Sequence, residues 1–246
     1  MLRGKYALIT GGSRGIGFAI AKELYENGCS VVITGRKEET LRLAAEKIGK
    51  NVKYLVWDMA DLSICEKKIN EAAEMMGGLD IIVNNAGLFA KRSEWSTDEL
   101  LKTTIEEWRS VMEVNLDALF FSMKCGVNYM LEHGIKGNIL NVTSVAGYEP
   151  GYGAYGASKT AANNLTRGWG KKFAPMGIVI NGIAPGPIAT EMNNWHEGDS
   201  MENERIPYGR YGTIEEIAKL AKYLLSEDAC MICGEVVTID GAYSIR

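Results

Sequence analysis

Histidine is nearly absent from this sequence. Of 246 residues only His133 and His196 carry an imidazole, and they lie far apart. That scarcity weakens any hydrolase built on a Ser-His-Asp constellation, where a histidine must stand between nucleophile and carboxylate. The five cysteines, at 29, 65, 125, 230 and 233, are an odd number without the spacing of a disulfide framework, so they read as thiols. Cys230 and Cys233 form one Cys-x-x-Cys. No second pair and no nearby histidine accompanies it, and no metal site is assigned. Excess positive charge is missing too: 27 lysines and arginines stand against 31 acids, a net charge of -4. Nucleic acid and anionic membrane surfaces are therefore poor candidates for the main partner. No apolar run approaches the roughly 18 residues that suggest a membrane span. The opening "MLRGKYALITGG" has an apolar stretch too short for a secretory signal and leads into a glycine turn, which points to a cytoplasmic protein.

What is present is alternation. Short β-branched runs at 5–10, 30–34, 52–58, 79–85, 137–144, 178–185 and 234–240 are bounded by Gly, Asp or Asn and read as buried strands. Between them, 16–28, 38–49, 62–77, 105–134, the segment around Tyr155, and 213–227 have helical spacing, several ending in Gly. Strand, helix, strand repeated in this way predicts a single doubly wound α/β domain, a parallel sheet of about seven strands with helices on both faces. No linker, repeat or low-complexity tract divides the chain. Two polar stretches, 88–104 and 189–212, break the rhythm after the fourth and sixth strands. Loops there rim the ligand crevice of such sheets, and the second reads as a substrate lid or a solvated loop.

Between the first strand and first helix, "TGGSRGIG" sets Gly11, Gly15 and Gly17 around Ser13, Arg14 and Ile16. Glycines here permit a tight turn and a close approach of backbone to a pyrophosphate, with the helix N-terminus offering unpaired N–H groups to the anion. This is the pattern of a dinucleotide site. An acid ending the second strand would select NAD(H) by binding the ribose hydroxyls. Here Gly35 stands in that place, Arg36 follows, and Arg14 supplies a second guanidinium, which favours NADP(H) over NAD(H). Asp58, followed by Met59 at the end of the third strand, is placed to accept from the adenine amine.

"GAYGASKTAANNL" places Tyr155 and Lys159 one helical turn apart among very small side chains. Packing alone could explain that. Acid–base chemistry could also: a phenol ordinarily holds its proton to a pKa near 10. A cation about 4 Å away, at an effective dielectric near 20, favours the phenolate by roughly 4 kcal/mol.

The chain resembles the short-chain dehydrogenase/reductase family in "TGGSRGIG" (10–17), "NNAG" (84–87), "VNL" (114–116), "NVTS" (141–144), "YGASK" (155–159) and "APGPIATEM" (184–192), six motifs in order. The resemblance implies a nicotinamide cofactor and a catalytic tetrad of Asn115, Ser144, Tyr155 and Lys159. Tyr155 would exchange a proton with the substrate oxygen, Ser144 would hydrogen-bond that oxygen, and Lys159 would hold the nicotinamide ribose. Asn115 would anchor a water leading to the lysine. Asn85, Ala86 and Gly87 would pack against the cofactor. Pro185, Gly186, Ile188 and Thr190 would meet its carboxamide end. A homo-oligomer, tetramer or dimer, with the long helices at its interfaces is also implied.

Ser144 lies eleven residues before Tyr155, about two fewer than in many relatives, so the intervening loop must be tight. Tyr148, Glu149 and Tyr152 are expected to shape the pocket mouth. The overall pattern is closest to the 3-oxoacyl-carrier-protein reductases, whose acidic partner calls for basic residues near the cleft. Here Lys136 stands almost alone, Met176 occupies a place where a base would help, and Lys91 and Arg92 lie in the longer loop. The expected substrate is a small-molecule ketone or secondary alcohol, such as a sugar, polyol or steroid. A carrier-protein reductase is the alternative, and a non-catalytic dinucleotide sensor or scaffold the alternative of another class.

Overall fold

The computed structural model describes residues 2–89, 100–151 and 153–245. Seven strands form one parallel sheet: β1 (Tyr6–Ile9), β2 (Ser30–Gly35), β3 (Lys53–Val56), β4 (Ile81–Asn84), β5 (Asn138–Val142), β6 (Val179–Pro185) and β7 (Val236–Ile239). Their order is β3-β2-β1-β4-β5-β6-β7. The helices are α1 (Gly15–Glu26), α2 (Glu38–Ile48), α3 (Cys65–Met76), α4 (Ile105–Met112), α5 (Ala118–Glu132), α6 (Ala154–Phe173) and α7 (Ile214–Leu224). All seven strands expected from the sequence are present; six are shorter than expected and β2 runs one residue further, to Gly35.

Alternation along each strand builds two cores. Ala7 and Ile9, Val31 and Ile33, and Ile81 and Val83 face α1, α2 and α7. Leu8, Val32 and Ile82 face α3, α5 and α6. A one-residue shift in register would exchange these sets; the central strands, buried on both faces, are mostly apolar, while β3 at the edge is partly exposed.

The region 105–134 is not one continuous helix. A π turn over Glu113–Asp117 separates α4 from α5, with Asn115 buried inside it. Such widened turns release the regular ladder and recur where a side chain must project out of register. The sheet order reverses between β1 and β4, which opens a crevice at the carboxyl ends of those strands. The turns that follow β1 and β4 are the glycine turn and the Asn85–Gly87 segment.

Candidate active site

The glycine turn and the turn after β4 are locked together by Thr10. Its Oγ1 accepts from Asn85 N at 3.0 Å and Ala86 N at 3.1 Å, and donates to Val83 O at 3.3 Å. Asn85 Nδ2 returns the contact by donating to Thr10 O and Gly11 O, at 3.0 and 3.1 Å. A Cβ at Gly17 would collide with Asn85 Nδ2 and Gly11 O, so only glycine permits this helix–turn contact. Gly15 differs. It has φ +57°, and a Cβ there would meet nothing within 4 Å, which leaves open space over the start of α1. The first turn of α1 has neither a capping side chain nor an acid. Its free N–H groups and positive end face that space, and the chemistry of this cradle fits a phosphate.

The expected cofactor contacts fall around the same crevice, with differences. Ser13 and Ile16 are partly buried in the turn, and Arg14 and Arg36 are exposed. Arg36 has no ion-pair partner among the described residues, whereas Arg14 pairs with Glu191 of the loop after β6. Asp58 is exposed and its Oδ1 accepts from Ala60 N at 3.1 Å, while Met59 is buried in the core. Pro185 ends β6, and Gly186 N donates to Ile239 O at 3.0 Å. The Ile188 side chain is in the core, and its carbonyl accepts from Asn193 Nδ2 at 2.8 Å and Thr190 Oγ1 at 3.4 Å.

Three members of the expected tetrad surround Gly87, Leu88 and Phe89. Asn115 Oδ1 accepts from Leu88 N at 2.7 Å, and its Nδ2 donates to Leu88 O at 2.9 Å and Ser158 Oγ at 3.3 Å. Both amide hydrogens are thereby committed, so this side chain clamps the segment after β4 and donates to no water. The Lys159 amine is buried and donates to Val142 O at 3.1 Å. Burial alone pushes it down from 10.5 to about 8. Its Nζ lies 5.6 Å from the centre of the Tyr155 ring. Tyr155 and Lys159 share one face of α6, as their spacing requires. Phe89 completes the group, edge-on to the Tyr155 ring at 4.9 Å and 75°.

Ser144 ends the extended segment after β5, and its Oγ accepts from Ala146 N at 3.1 Å. The hydroxyl therefore caps a short turn, and its own hydrogen is left to donate. The tight loop to Tyr155 is achieved at Gly147, where a Cβ would lie 2.7 Å from Lys159 O. Tyr148 does not shape the pocket mouth. It donates to Val236 O at 2.9 Å and accepts from Arg167 Nη2 at 3.2 Å, three helical turns along α6 from Tyr155. Glu149 is partly buried in the loop beyond it. Tyr152, Lys91 and Arg92 fall outside the described residues. Lys136 precedes β5 beside Gly177, with Met176 next to it, at the end of the sheet opposite Ser144.

The 189–212 excursion is closed at its base by the Ile188–Gly212 bridge and carries a second bridge, Glu202–Arg210. The two cysteines of Cys-x-x-Cys diverge: Cys233 donates to Gly170 O at 3.4 Å, while Cys230 is exposed at the end of the sheet opposite the crevice. Among the described residues no group of three His, Cys, Asp or Glu could hold a metal, and no helix is long and apolar enough to cross a membrane. Sequence reasoning missed Thr10, Phe89, Ser158 and Glu191. Thr10, Ser158 and Glu191 lay inside the quoted motifs, Thr10 immediately preceding the glycines, while Phe89 carried no local signal.

A family model described as enoyl-(acyl carrier protein) reductase matches residues 11–244. The chain is 34% identical over 254 residues to an NADP-dependent (R)-specific alcohol dehydrogenase of Lentilactobacillus kefiri, covering 100% of this chain and 98% of that one. It is equally, 34%, identical over 249 residues to a 3-oxoacyl-[acyl-carrier-protein] reductase of Aquifex aeolicus, covering 98% and 97%. A short chain dehydrogenase from Bacillus anthracis superposes with a TM-score of 0.88 at 32% identity, covering 100% and 99% of the two chains. With the glycine cradle, the clamp after β4 and the Tyr155–Lys159 helix in one crevice, this chain belongs to the short-chain dehydrogenase/reductase family and is an NAD(P)-dependent oxidoreductase.

Proposed function

We propose that the reaction is the NADP(H)-dependent interconversion of a small-molecule ketone and its secondary alcohol, with Tyr155 as proton donor and acceptor. The observation that carries the reading is the buried amine of Lys159, pushed down to about 8 beside the Tyr155 ring. A lysine removed from water, with one carbonyl acceptor among the described residues, is costly to keep charged. When bound, the dinucleotide supplies or accepts the hydride. In the ketone-to-alcohol direction Tyr155 gives its phenolic proton to the carbonyl oxygen. Ser144, whose hydroxyl hydrogen is uncommitted, donates to the same oxygen and stabilises the charge that develops there. In reverse, Tyr155 accepts the alcohol proton. Protonated Lys159, one turn along α6, and the uncapped start of that helix, whose first turn carries Tyr155, both favour the negative charge that Tyr155 then carries. Asn115 keeps Leu88 and Phe89 in place, and any water it binds is held by the main chain of the π turn.

The cradle over α1 would hold the pyrophosphate, with Asn85, Ala86 and Gly87 beneath the cofactor and the Ile188 N–H and Thr190 at the carboxamide. Arg14 and Arg36 would take the 2′-phosphate. Phe89 supplies an apolar wall beside the phenol, which favours an apolar substituent on the carbonyl. A homodimer or tetramer would form through the long helices α5 and α6, where Trp169 packs against Phe120 and Phe173.

The equal likeness to a carrier-protein reductase keeps a second reading in view, reduction of a 3-oxoacyl thioester. Nicotinamide absorbance, followed with NADPH and NADH over a panel of alkyl ketones, aryl ketones, ketoses and an acetoacetyl thioester, separates the two. We expect NADPH to be used faster and free ketones to turn over. Thioester turnover alone would favour the second reading, and no consumption of either nucleotide would leave a binding role.

A further inference from the structure

The loop after β6 reaches back across the crevice through a single side chain. Glu191 forms an ion pair with Arg14 of the glycine turn, a contact between residues 177 positions apart. Strands β1 and β6 are separated in the sheet by β4 and β5. At about 4.8 Å per strand that is a span of ~14 Å, directly over the carboxyl ends where a dinucleotide would lie. The carboxylate is presented by an ordered turn. Asn193 N and Trp195 N donate to Thr190 O at 2.9 and 3.1 Å, and Asn194 N donates to Glu191 O at 3.1 Å. Asn194 holds φ +56°, which closes the turn. Arg14 is 80% and Glu191 67% exposed, so neither is buried by the contact and either can exchange its partner for another.

We propose that Glu191 is a specificity-determining residue that competes with the cofactor's 2′-phosphate for the Arg14 guanidinium. The proposal rests on the assignment of Arg14 to that phosphate. A phosphate dianion is the stronger partner for a guanidinium. Binding a 2′-phosphorylated nucleotide therefore exchanges the Glu191 partner for the phosphate and releases the turn after β6. A nucleotide without that phosphate leaves the strap fastened. The free-state ion pair thus weakens the affinity for NADP(H) and narrows its advantage over NAD(H).

The test compares wild type, E191Q, R14Q and the double variant, with calorimetric titration of 2′,5′-ADP and 5′-AMP into each. The ratio of the two affinities isolates the 2′-phosphate from general changes in charge. Exposed ion pairs of this kind shift equilibria by up to about 5-fold, so we expect E191Q to raise the ratio by about 2–5-fold. R14Q should lower it, and E191Q should then have no effect in the R14Q background. An unchanged or lower ratio in E191Q, or a rise that persists without Arg14, overturns the proposal while leaving the cofactor assignment standing. If wild type binds both probes alike and R14Q changes nothing, the cofactor assignment fails and the proposal fails with it. Both positions are exposed, and a thermal melt of each variant checks that the fold is retained.

Discussion

Helices α4 and α7 begin in a different way from α1 and α6. Thr104 and Glu107 form a complete capping box on α4, and Thr213 and Glu216 form one on α7, each followed by an acid-rich first turn. Glu216 is held down to about 2 by Arg210 and by the Thr213 N–H. Among the described residues, α1, α5 and α6 begin with neither a capping side chain nor an acid, but α5 runs on directly from the helical π turn and has no free start. Helices α2 and α3 lack the cap but still carry acids in their first turns. An uncapped start leaves N–H groups unpaired and a partial positive charge unopposed, which costs on the order of 1 kcal/mol of stability. The two helices that tolerate this carry the glycine cradle and the Tyr155–Lys159 pair, where a phosphate and a transient phenolate would supply the missing negative charge.

That contrast can be broken at either end. Replacing Tyr155 by Phe keeps the ring against Phe89 and removes only the hydroxyl. We expect kcat/KM to fall by about 10²–10⁴ while NADPH affinity, followed by fluorescence, stays near wild type. Gly17→Ala drives a Cβ into Asn85 Nδ2 and Gly11 O. Overpacking at this point should cost about 1–3 kcal/mol in denaturant unfolding and lower NADPH affinity at least about tenfold. At a capped start the pattern should invert: Thr213→Ala removes a 3.2 Å cap bond to Glu216 N and should cost about 0.5–2 kcal/mol with no change in NADPH affinity. The smallest effect belongs to Phe89→Ala. Loss of one edge-on aromatic pair should raise KM for an aryl ketone by about 2–10-fold and leave the thermal midpoint nearly unmoved.

Much of this architecture was legible in the sequence because the central strands are buried on both faces and read as largely apolar runs, as "YALI" and "IIVN" do. Gly11, Gly15 and Gly17 announced the cradle because their spacing follows directly from backbone geometry. The π turn at Asn115 did not show, since the hydrophobic period through 105–134 is unbroken and the widening is stabilised by a partner, Leu88, 27 residues away. The roles of Glu191 and Phe89 were invisible for the same reason: each acquires its role from a contact across the crevice. Tyr148 misled because nearness in sequence to Ser144 suggested nearness in space, whereas the short turn at Val145–Gly147 directs it toward β7.

The central claim is that the crevice keeps a buried amine poised between charged and neutral beside the reacting phenol. Lys159 stands at about 8 in the folded chain against an ordinary 10.5. Between those values the unfolded chain binds the extra proton, so folding stability gains as pH rises through the window and the gain is lost as pH falls back through 8. The gain amounts to about 3 kcal/mol. Denaturant unfolding of wild type and Lys159→Met from pH 7.5 to 10.5, taken as a difference so that other titrating groups cancel, reads it directly. We expect the stability of wild type relative to the variant to climb by about 3 kcal/mol across the window. Parallel curves would place an ordinary, solvated lysine at this position and contradict the acid–base role of the pair.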